Sequence, residues 1–270
     1  MLQSAPSEST RVQASTNRGV AVVTGGRRGI GGATCRLLAQ TGFDVAVLDI
    51  VNGDDGNGIV AEVKELGRRA KFYNIDISDL ASHASVVEAI AGELGDITCL
   101  VNNAGIQVPV RRDILEETPE AFDKVVGVNL RGTFFFTQAV ARHMVGSGTP
   151  SVARNVVFIT SANAQMASPE KSSYCTSKSA LSMVSKLFAL RLAEENIWVH
   201  EIRPGLIQTD MTAEVTEKYS KVIAEGASPI KRWGQPEDIA QCVTALATRS
   251  LGFTTGDVFH IGGGLHIERL

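Results

Sequence analysis

Short runs rich in β-branched residues alternate along the chain with longer stretches of helical pattern, and this order constrains the fold more than any other feature. Such alternation is typical of βαβ units built around a parallel sheet. The sequence therefore predicts an α/β fold in which helices flank one parallel sheet. The predicted strands are Val20–Thr24, Asp44–Asp49, Ala70–Ile75, Cys99–Asn102, Asn155–Ser161, Trp198–Ile202 and Asp257–Ile261.

The organisation of the chain favours one large domain. Residues 18–270 contain no linker, no shift in composition and no internal repeat. Residues 1–17 are rich in Ser, Thr and Gln, and their few apolar groups predict a mobile N-terminal tail. The connection after the sixth strand, residues 209–228, is predicted to form a substrate lid, with a packed pair of helices as the alternative.

Composition argues against several classes of protein. The 26 Lys and Arg residues against 29 Asp and Glu give a net charge of −3, which argues against a nucleic-acid partner. No apolar run approaches the roughly 18 residues of a membrane-spanning helix, and the first ten residues lack the pattern of a signal peptide, so we expect a cytoplasmic protein without a membrane partner. The four cysteines and five histidines are scattered, so no metal site and no disulfide framework is predicted.

A glycine-rich turn follows the first strand and leads into a helical run. Gly25, Gly29 and Gly31 let the backbone turn tightly and approach a pyrophosphate, while the helix N-terminus supplies N–H groups. Asp49 ends the second strand, 24 residues after Gly25, where a carboxylate can accept both hydroxyls of an adenine ribose. The pattern predicts a dinucleotide site. The alternative for Asp49 is an ordinary turn or helix-cap residue.

Tyr174 and Lys178 lie four residues apart in a helical stretch, so both side chains project from one helix face. A phenol is a poor acid–base group at neutral pH, and a nearby ammonium lowers its pKa by favouring the phenolate. Ser161 lies at the carboxyl end of the fifth strand, where α/β sheets bind ligands, and can hydrogen-bond a substrate oxygen. The three residues form a candidate catalytic group.

Together these motifs resemble those of the short-chain dehydrogenase/reductase family, from about Arg18 to the C-terminus. The resemblance implies a Rossmann-type, doubly wound parallel seven-stranded sheet in a single domain. The matching positions are Thr24, Gly25, Gly29 and Gly31 of T-G-x-x-x-G-x-G, Asn102 to Gly105 of N-N-A-G, Tyr174 and Lys178 of Y-x-x-x-K, and Pro204 and Gly205 of the P-G segment.

The activity implied by the resemblance is hydride transfer between a nicotinamide and a carbon that bears an alcohol or carbonyl. Tyr174 would be the general acid or base, and Ser161 would hold the substrate oxygen. Lys178 would bind the nicotinamide ribose and lower the tyrosine pKa. Asn129 would complete a proton relay behind the lysine.

The resemblance also implies the residues that hold the dinucleotide. Asp76 would meet the adenine, and Ile207 and Thr209 would line the nicotinamide. The full predicted set is Gly25, Arg28, Gly29, Ile30, Gly31, Asp49, Asp76, Ile77, Asn103, Ala104, Gly105, Tyr174, Lys178, Pro204, Gly205, Ile207 and Thr209.

The choice of cofactor depends on two features with opposite effects. A 2′-phosphate beside Asp49 would meet a like charge, which favours NAD. Arg28 precedes Gly29 in the turn, at a position from which family members that prefer NADP often reach that phosphate. We let the carboxylate decide for NAD, because an arginine can swing to solvent or pair with Asp49 itself, and NADP remains possible.

The amides of Asn163 and Gln165 favour a small polar substrate, namely a sugar, sugar acid or polyol, with Met211 on the lid above it. The alternative is that both amides cap the turn after the fifth strand. A second reaction is that of a 3-oxoacyl-(acyl-carrier-protein) reductase, for which Arg111 and Arg112 are a thin basic patch. A non-catalytic dinucleotide-binding regulatory protein is the alternative from another class, but such relatives typically lose the tyrosine or lysine.

A homo-oligomer, specifically a tetramer, is implied by the resemblance. The run Phe134, Phe135 and Phe136 fans over more of a helix surface than one core-facing stripe needs, so part of it is predicted to face a partner.

Overall fold

Seven parallel strands form one sheet with the order β3-β2-β1-β4-β5-β6-β7 in a computed structural model, which describes residues 17–148 and 152–268. The strands are β1 Val20–Thr24, β2 Asp44–Asp49, β3 Ala70–Asn74, β4 Ile97–Asn102, β5 Arg154–Ile159, β6 Ile197–Pro204 and β7 Val258–Ile261. The prediction of a Rossmann-type, doubly wound parallel sheet is confirmed. Apart from Asn17, the predicted N-terminal tail lies outside the described residues.

Eight α-helices connect these strands within the described ranges. They are α1 Gly29–Gln40, α2 Asp54–Glu65, α3 His83–Leu94, α4 Pro119–Val126, α5 Thr133–Gly146, α6 Ser172–Leu192, α7 Thr216–Ala224 and α8 Pro236–Ala247. A π-helical segment, Gly127–Gly132, joins α4 to α5. Residues 209–228, the predicted lid, contain a short 3₁₀ helix, Asp210–Val215, and α7.

Helices cover both faces of the sheet, which explains why its central strands are apolar on both sides. Val20 and Val22 face a core formed with α3, α5 and α6. Ala21 and Val23, the alternate residues of the same strand, face a second core formed with α1, α2 and α8. The period of two along a strand thus divides the buried residues between two layers.

The boundaries of β1 and β2 match the sequence prediction, and those of the other five strands differ from it by one or two residues. The largest consequence is at β5, which ends at Ile159, so that Thr160 and Ser161 lie beyond the strand. Ser161 has extended backbone angles and begins a 3₁₀ turn, Ala162–Ala164, in which its side chain accepts a hydrogen bond from the Asn163 N–H. Thr160 still donates a backbone hydrogen bond to the Ile202 carbonyl at 2.9 Å, so the extended conformation continues past the last residue of the strand.

The order of the strands reverses at β1, which pairs with β2 on one side and β4 on the other. The connections that follow β1 and β4 leave the carboxyl ends of these strands in opposite directions and so open a crevice between them. Ligands bind in this crevice in this class of fold. No helix within the described ranges is long and apolar enough to span a membrane.

Candidate active site

A cleft of about 710 Å³ runs along the carboxyl ends of the strands. Ser161, Asn163 and Met211 line it. Most of the predicted dinucleotide residues line it as well, namely Gly25, Arg28, Gly29, Ile30, Asp49, Asp76, Ile77, Asn103, Ala104, Gly105, Tyr174, Lys178, Pro204, Gly205, Ile207 and Thr209. The fold therefore brings together side chains that are spread over almost the whole chain.

Glycines are required in the turn between β1 and α1. Gly25 and Gly29 have φ values of 63° and 54°, in the left-handed region that side chains avoid. A Cβ on Gly31 would lie 2.0 Å from the Gly25 carbonyl oxygen, so Gly31 packs behind the turn rather than lining the cleft. The first turn of α1 is Gly29-Ile30-Gly31-Gly32, whose uncharged residues leave the helix N-terminus open to an anion.

Asn103 fixes the position of this turn against β4. Its Nδ2 donates to the carbonyl oxygens of Thr24 and Gly25, each at 3.0 Å. The Thr24 hydroxyl accepts from the backbone N–H groups of Asn103 and Ala104, also at 3.0 Å. The cradle that glycine makes possible is thus held by four hydrogen bonds, and its shape fits a pyrophosphate.

One end of the cleft, the carboxylate end, is formed by Asp49 and Asp76. Asp49 accepts a hydrogen bond from the Val51 N–H at 3.0 Å, and Arg27 Nε lies 3.7 Å from its Oδ1. Asp76 Oδ1 accepts from the backbone and hydroxyl of Ser78. Both carboxylates therefore already have partners within the protein.

The two arginines of the glycine turn point in different directions. Arg27 lies between Asp49 and Asp55, with Nη1 2.5 Å from the Asp55 carboxylate. Arg28 instead forms an exposed ion pair with Asp210 at 2.5 Å. The arginine that accompanies Asp49 is therefore Arg27, whereas the sequence argument on NADP rests on Arg28.

Tyr174 and Lys178 lie one turn apart on α6, and both line the cleft together with Ser161. Burial raises the pKa of Tyr174, and the interaction with Ser161 offsets only part of that rise. Lys178 Nζ donates to the Ile159 carbonyl at 3.1 Å and lies 5.8 Å from the centre of the Tyr174 ring. The structure thus differs from the expectation that the ammonium holds the tyrosine pKa below its ordinary value, because desolvation of the phenol raises that pKa and Lys178 is not among the groups that lower it.

Asn129 is fully buried in the π-helical segment rather than in a regular α-helix. Its Oδ1 accepts from the Ile106 N–H at 2.8 Å, and its Nδ2 donates to the Ile106 carbonyl and to Ser177 Oγ. A Cβ on Gly105 would lie 3.2 Å from Asn129 Oδ1 and 3.4 Å from Lys178 Nζ. Asn129 thus lies near the lysine, and a side chain at Gly105 would crowd both groups, although Asn129 does not line the cleft itself.

A buried carboxylate behind the site was missed by the sequence reasoning. Glu201 on β6 is fully buried, and its two oxygens accept from Thr160 Oγ1 at 2.6 Å, Ser182 Oγ at 2.7 Å and Arg203 Nε at 2.7 Å. Burial lowers the pKa of Lys178 to about 8, and the negative charge of Glu201 opposes that shift. The sequence signal was an acid and a base two residues apart in an otherwise apolar strand, which places both on one face.

The predicted substrate residues are divided by the structure. Asn163 lines the cleft, but its Oδ1 accepts from Lys171 Nζ and its Nδ2 donates to the Met166 carbonyl, each at 2.8 Å. Gln165 is outside the cleft, in a separate cavity of about 210 Å³, because Arg203 Nη1 donates to its Oε1 and holds it there. The turn-capping alternative therefore describes Asn163, whereas Gln165 is held by Arg203 on β6 and neither caps the turn nor lines the cleft.

The opposite end of the cleft, the cationic end, is formed by Arg111, Lys171 and Tyr219. Lys171 is buried just before α6, and the interaction with the Arg111 guanidinium acts to lower the pKa of the Tyr219 phenol. Of these residues, sequence reasoning had noted only Arg111. Within residues 17–148 and 152–268, no group of three or more His, Cys, Asp or Glu side chains is placed to hold a metal ion.

Comparison with known proteins is consistent with this geometry. The short chain dehydrogenase family model matches residues 19–220. The 3-oxoacyl-[acyl-carrier-protein] reductase of Thermotoga maritima is 35% identical over 250 residues, which are 92% of this chain and 98% of that protein.

Two solved structures with a bound dinucleotide are similar to this chain. A 3-oxoacyl-[acyl-carrier protein] reductase from Brucella melitensis in complex with NAD has a TM-score of 0.91 at 43% identity, with 95% of this chain and 100% of that one covered. A gluconate 5-dehydrogenase from Burkholderia cenocepacia J2315 in complex with NADP and tartrate has a TM-score of 0.84 at 27% identity, with 93% and 96% covered.

Proposed function

From the premise that the chain belongs to the short-chain dehydrogenase family, we propose that it transfers a hydride between the nicotinamide of NAD and a secondary alcohol or ketone of a small polar molecule. The coarser statement, that the chain is an NAD(P)-dependent oxidoreductase, follows from family membership. The proposed substrate is a sugar, sugar acid or polyol.

The observation that carries the proposal is that Ser161, Tyr174 and Lys178 line the cleft together, with Lys178 Nζ 5.8 Å from the centre of the Tyr174 ring. When bound, the dinucleotide supplies the hydride acceptor or donor. In the oxidative direction the substrate hydroxyl loses its proton to Tyr174 Oη while a hydride leaves the carbon that bears this hydroxyl. Ser161 Oγ orients the substrate oxygen, and Lys178 would hold the nicotinamide ribose beside the tyrosine.

The proton then needs a route away from Tyr174. Lys178 lies near both the Tyr174 ring and the Asn129 amide, and its pKa of about 8 lets the ammonium exchange a proton near neutral pH. The paired hydrogen bonds of Asn129 to Ile106 fix the position of its amide beside that lysine. We assign Asn129 a positioning role in the relay.

NAD is proposed over NADP because Asp49 faces the cleft at the carboxylate end. A phosphate on the ribose there would meet that carboxylate, and Arg27 is already shared between two acids. The NAD complex of the Brucella melitensis reductase and the NADP complex of the Burkholderia cenocepacia dehydrogenase support a nicotinamide dinucleotide of either kind.

Reduction of 3-oxoacyl thioesters on a carrier protein is the second candidate, and the similarity to two reductases of that name favours it. A regulatory protein without turnover is the third. Its relatives typically lack the tyrosine or lysine, and this chain retains Tyr174 and Lys178 together with Ser161.

A homo-oligomer, proposed as a tetramer, is supported by an apolar stripe on α6. Met183, Leu187 and Leu190 lie at helical spacing on that helix, and all three are exposed. Phe135 on α5 is exposed as well, whereas Phe136 is fully buried. A monomer in light scattering at micromolar concentration would contradict this proposal.

A turnover screen tests the proposed reaction. Purified protein is assayed with NAD and with NADP against sugar acids, polyols and 3-hydroxyacyl thioesters, while absorbance reports the reduced cofactor. We expect turnover with a sugar acid or polyol and a higher kcat/KM with NAD. Turnover of thioesters alone would favour the second candidate, and reduction of neither cofactor with any class would favour the third.

A further inference from the structure

The cations at the two ends of the cleft differ in their pairing. Arg27 and Arg28, near the carboxylate end, both form ion pairs with aspartates. At the cationic end, neither Lys171 nor Arg111 takes part in an ion pair within the described ranges 17–148 and 152–268. The cleft therefore has positive charge at this end that the described side chains do not neutralise.

Lys171 carries the stronger part of the argument. Only 7% of the residue is exposed, and its Nζ donates to a neutral amide, Asn163 Oδ1, at 2.8 Å. A buried ammonium without an anion is costly, because an amide replaces only part of the hydration it has lost. Glu117, the acid beside the start of α6, is hydrogen-bonded to the hydroxyls of Ser172 and Ser173.

Tyr219 reports the sign of the local field. Burial acts to raise the pKa of this phenol, but the interaction with the Arg111 guanidinium and the charges of Lys171, Arg111 and Lys218 outweigh it and hold the pKa below its ordinary value. A neighbouring phenolate is thus favoured by the same groups that would favour a bound anion. The exposed rim residues Asp123 and Lys124 have opposite charges and contribute little net field.

We propose that the substrate bears a carboxylate, which is bound between Lys171 and Arg111 while the carbinol carbon lies at Tyr174. This rests on the proposed function and narrows it from polar molecules in general to hydroxy acids and their keto forms. Lys171 Nζ lies 6.0 Å from the centre of the Tyr174 ring, so the carboxylate and the reacting carbon are separated by only a few carbon atoms. An acidic protein surface cannot reach a lysine this deeply buried, which favours a small molecule.

Binding to the NAD complex tests this without requiring turnover. The probes are tartrate and threitol, which share a four-carbon diol skeleton and differ in having carboxylates or hydroxymethyl groups at the ends. Titration calorimetry on the NAD-saturated Tyr174→Phe protein gives both dissociation constants. We expect tartrate to bind at least tenfold more tightly than threitol, because hydrogen bonds between charged groups are the stronger ones.

Lys171→Met should then weaken tartrate binding by about tenfold to a hundredfold and leave threitol unchanged. Arg111→Gln should have a smaller effect of the same kind. Lys64→Met, which removes the same charge from an exposed position on α2 outside the cleft, is the matched control and should change neither constant. Lys171→Gln replaces Lys171→Met in the comparison if the methionine variant fails to bind NAD.

Two outcomes would overturn the inference. One is threitol binding as tightly as tartrate, and the other is a preference for tartrate that survives in Lys171→Met and Lys171→Gln. The proposed function fails differently, through turnover that persists in Tyr174→Phe or is absent with every substrate class. An acid preference that depends on Lys171 therefore supports the anion site whatever reaction the protein catalyses.

Discussion

The two ends of the cleft use charge in opposite ways. At the carboxylate end, the acidic groups of Asp49 and Asp76 accept hydrogen bonds from neighbouring residues, and the cations beside them are paired. At the cationic end, the partners of Lys171 and Arg111 within the described residues are the neutral groups of Asn163 and Tyr219. Carboxylates that face the cleft repel a ligand phosphate, whereas cations without a counterion attract an anionic ligand.

The ends also differ in how they are built. The turn next to the carboxylate end is shaped by backbone, with glycines at φ values that side chains avoid and with Asn103 bonded to carbonyl oxygens. The cationic end is assembled from side chains on three separate segments, the loop after β4, the turn before α6, and α7. We therefore expect substitutions at one end to leave binding at the other end largely intact.

The largest expected effect belongs to the catalytic centre between the ends. Tyr174→Phe keeps the ring and its packing but removes the transferable proton, so kcat should fall by about 10²–10⁴-fold. The dissociation constant for NAD, measured by fluorescence titration, should stay within about twofold. A phenylalanine variant that keeps most of its kcat would remove Tyr174 from the mechanism.

Gly31→Ala should act on the dinucleotide side alone. Its Cβ would lie 2.0 Å from the Gly25 carbonyl oxygen, so the backbone of the turn must shift, and NAD affinity should fall by roughly tenfold or more. Gly92→Ala is the control, because Gly92 lies exposed on α3 with open space around it. Its replacement by alanine should raise the free energy of unfolding by about 0.5–1 kcal/mol. Unchanged NAD affinity in Gly31→Ala would contradict the backbone-built description of this end.

Asp49→Ala tests whether the carboxylate end acts as the cofactor selector. The unmodified protein should have a higher kcat/KM with NAD than with NADP, and the variant should narrow the difference or reverse it, since Arg27 loses one of its two acids. Steady-state kinetics with both cofactors measure this. If the unmodified protein prefers NADP by tenfold or more, about 1.4 kcal/mol, then the arginines outweigh Asp49.

The smallest expected effect is a change in the stability of Lys178→Met that depends on pH. Burial lowers the pKa of Lys178 from 10.5 to about 8, so the folded protein carries the full cost of a buried cation below pH 8. Between pH 8 and 10.5 that cost disappears, because the folded lysine loses its proton before the unfolded one. The Tm of the variant minus that of the unmodified protein should therefore decrease by a few degrees from pH 7 to pH 10.

The same calorimetric series on Lys64→Met provides the control, since an exposed lysine should show no such trend. A difference for Lys178→Met that stays constant with pH would mean that Lys178 is not desolvated as described. NAD affinity of Lys178→Met should fall as well, and unchanged affinity would argue against the proposed ribose contact.

The glycine turn, Asp49, and the Tyr174–Lys178 pair could be predicted because their chemistry depends on spacing within one strand, turn or helix. Because the backbone geometry of one element is fixed over a few residues, the spacing of these residues in the sequence indicates how they lie relative to one another. The position of Ser161 followed from the end of β5, even though the strand itself stops two residues earlier.

Features set by distant partners could not be predicted in this way. Gln165 is turned out of the cleft by Arg203, which is 38 residues further along the chain. The π-helical turn around Asn129 depends on hydrogen bonds to Ile106, and Lys171 and Tyr219 meet only through the fold. Local pattern identifies the residue types, whereas tertiary contacts decide where their side chains point.

The pairing of Glu201 with Arg203 has an evolutionary consequence. Loss of either partner alone leaves a charge without its counterion inside the sheet and typically costs about 3–5 kcal/mol, whereas exchange of both for apolar residues is often neutral. Substitution of one partner alone is therefore selected against, whereas replacement of both partners together is not. Related proteins should therefore carry both charges or neither. A lineage that changed from one state to the other must have tolerated a less stable protein with only one of the two charges.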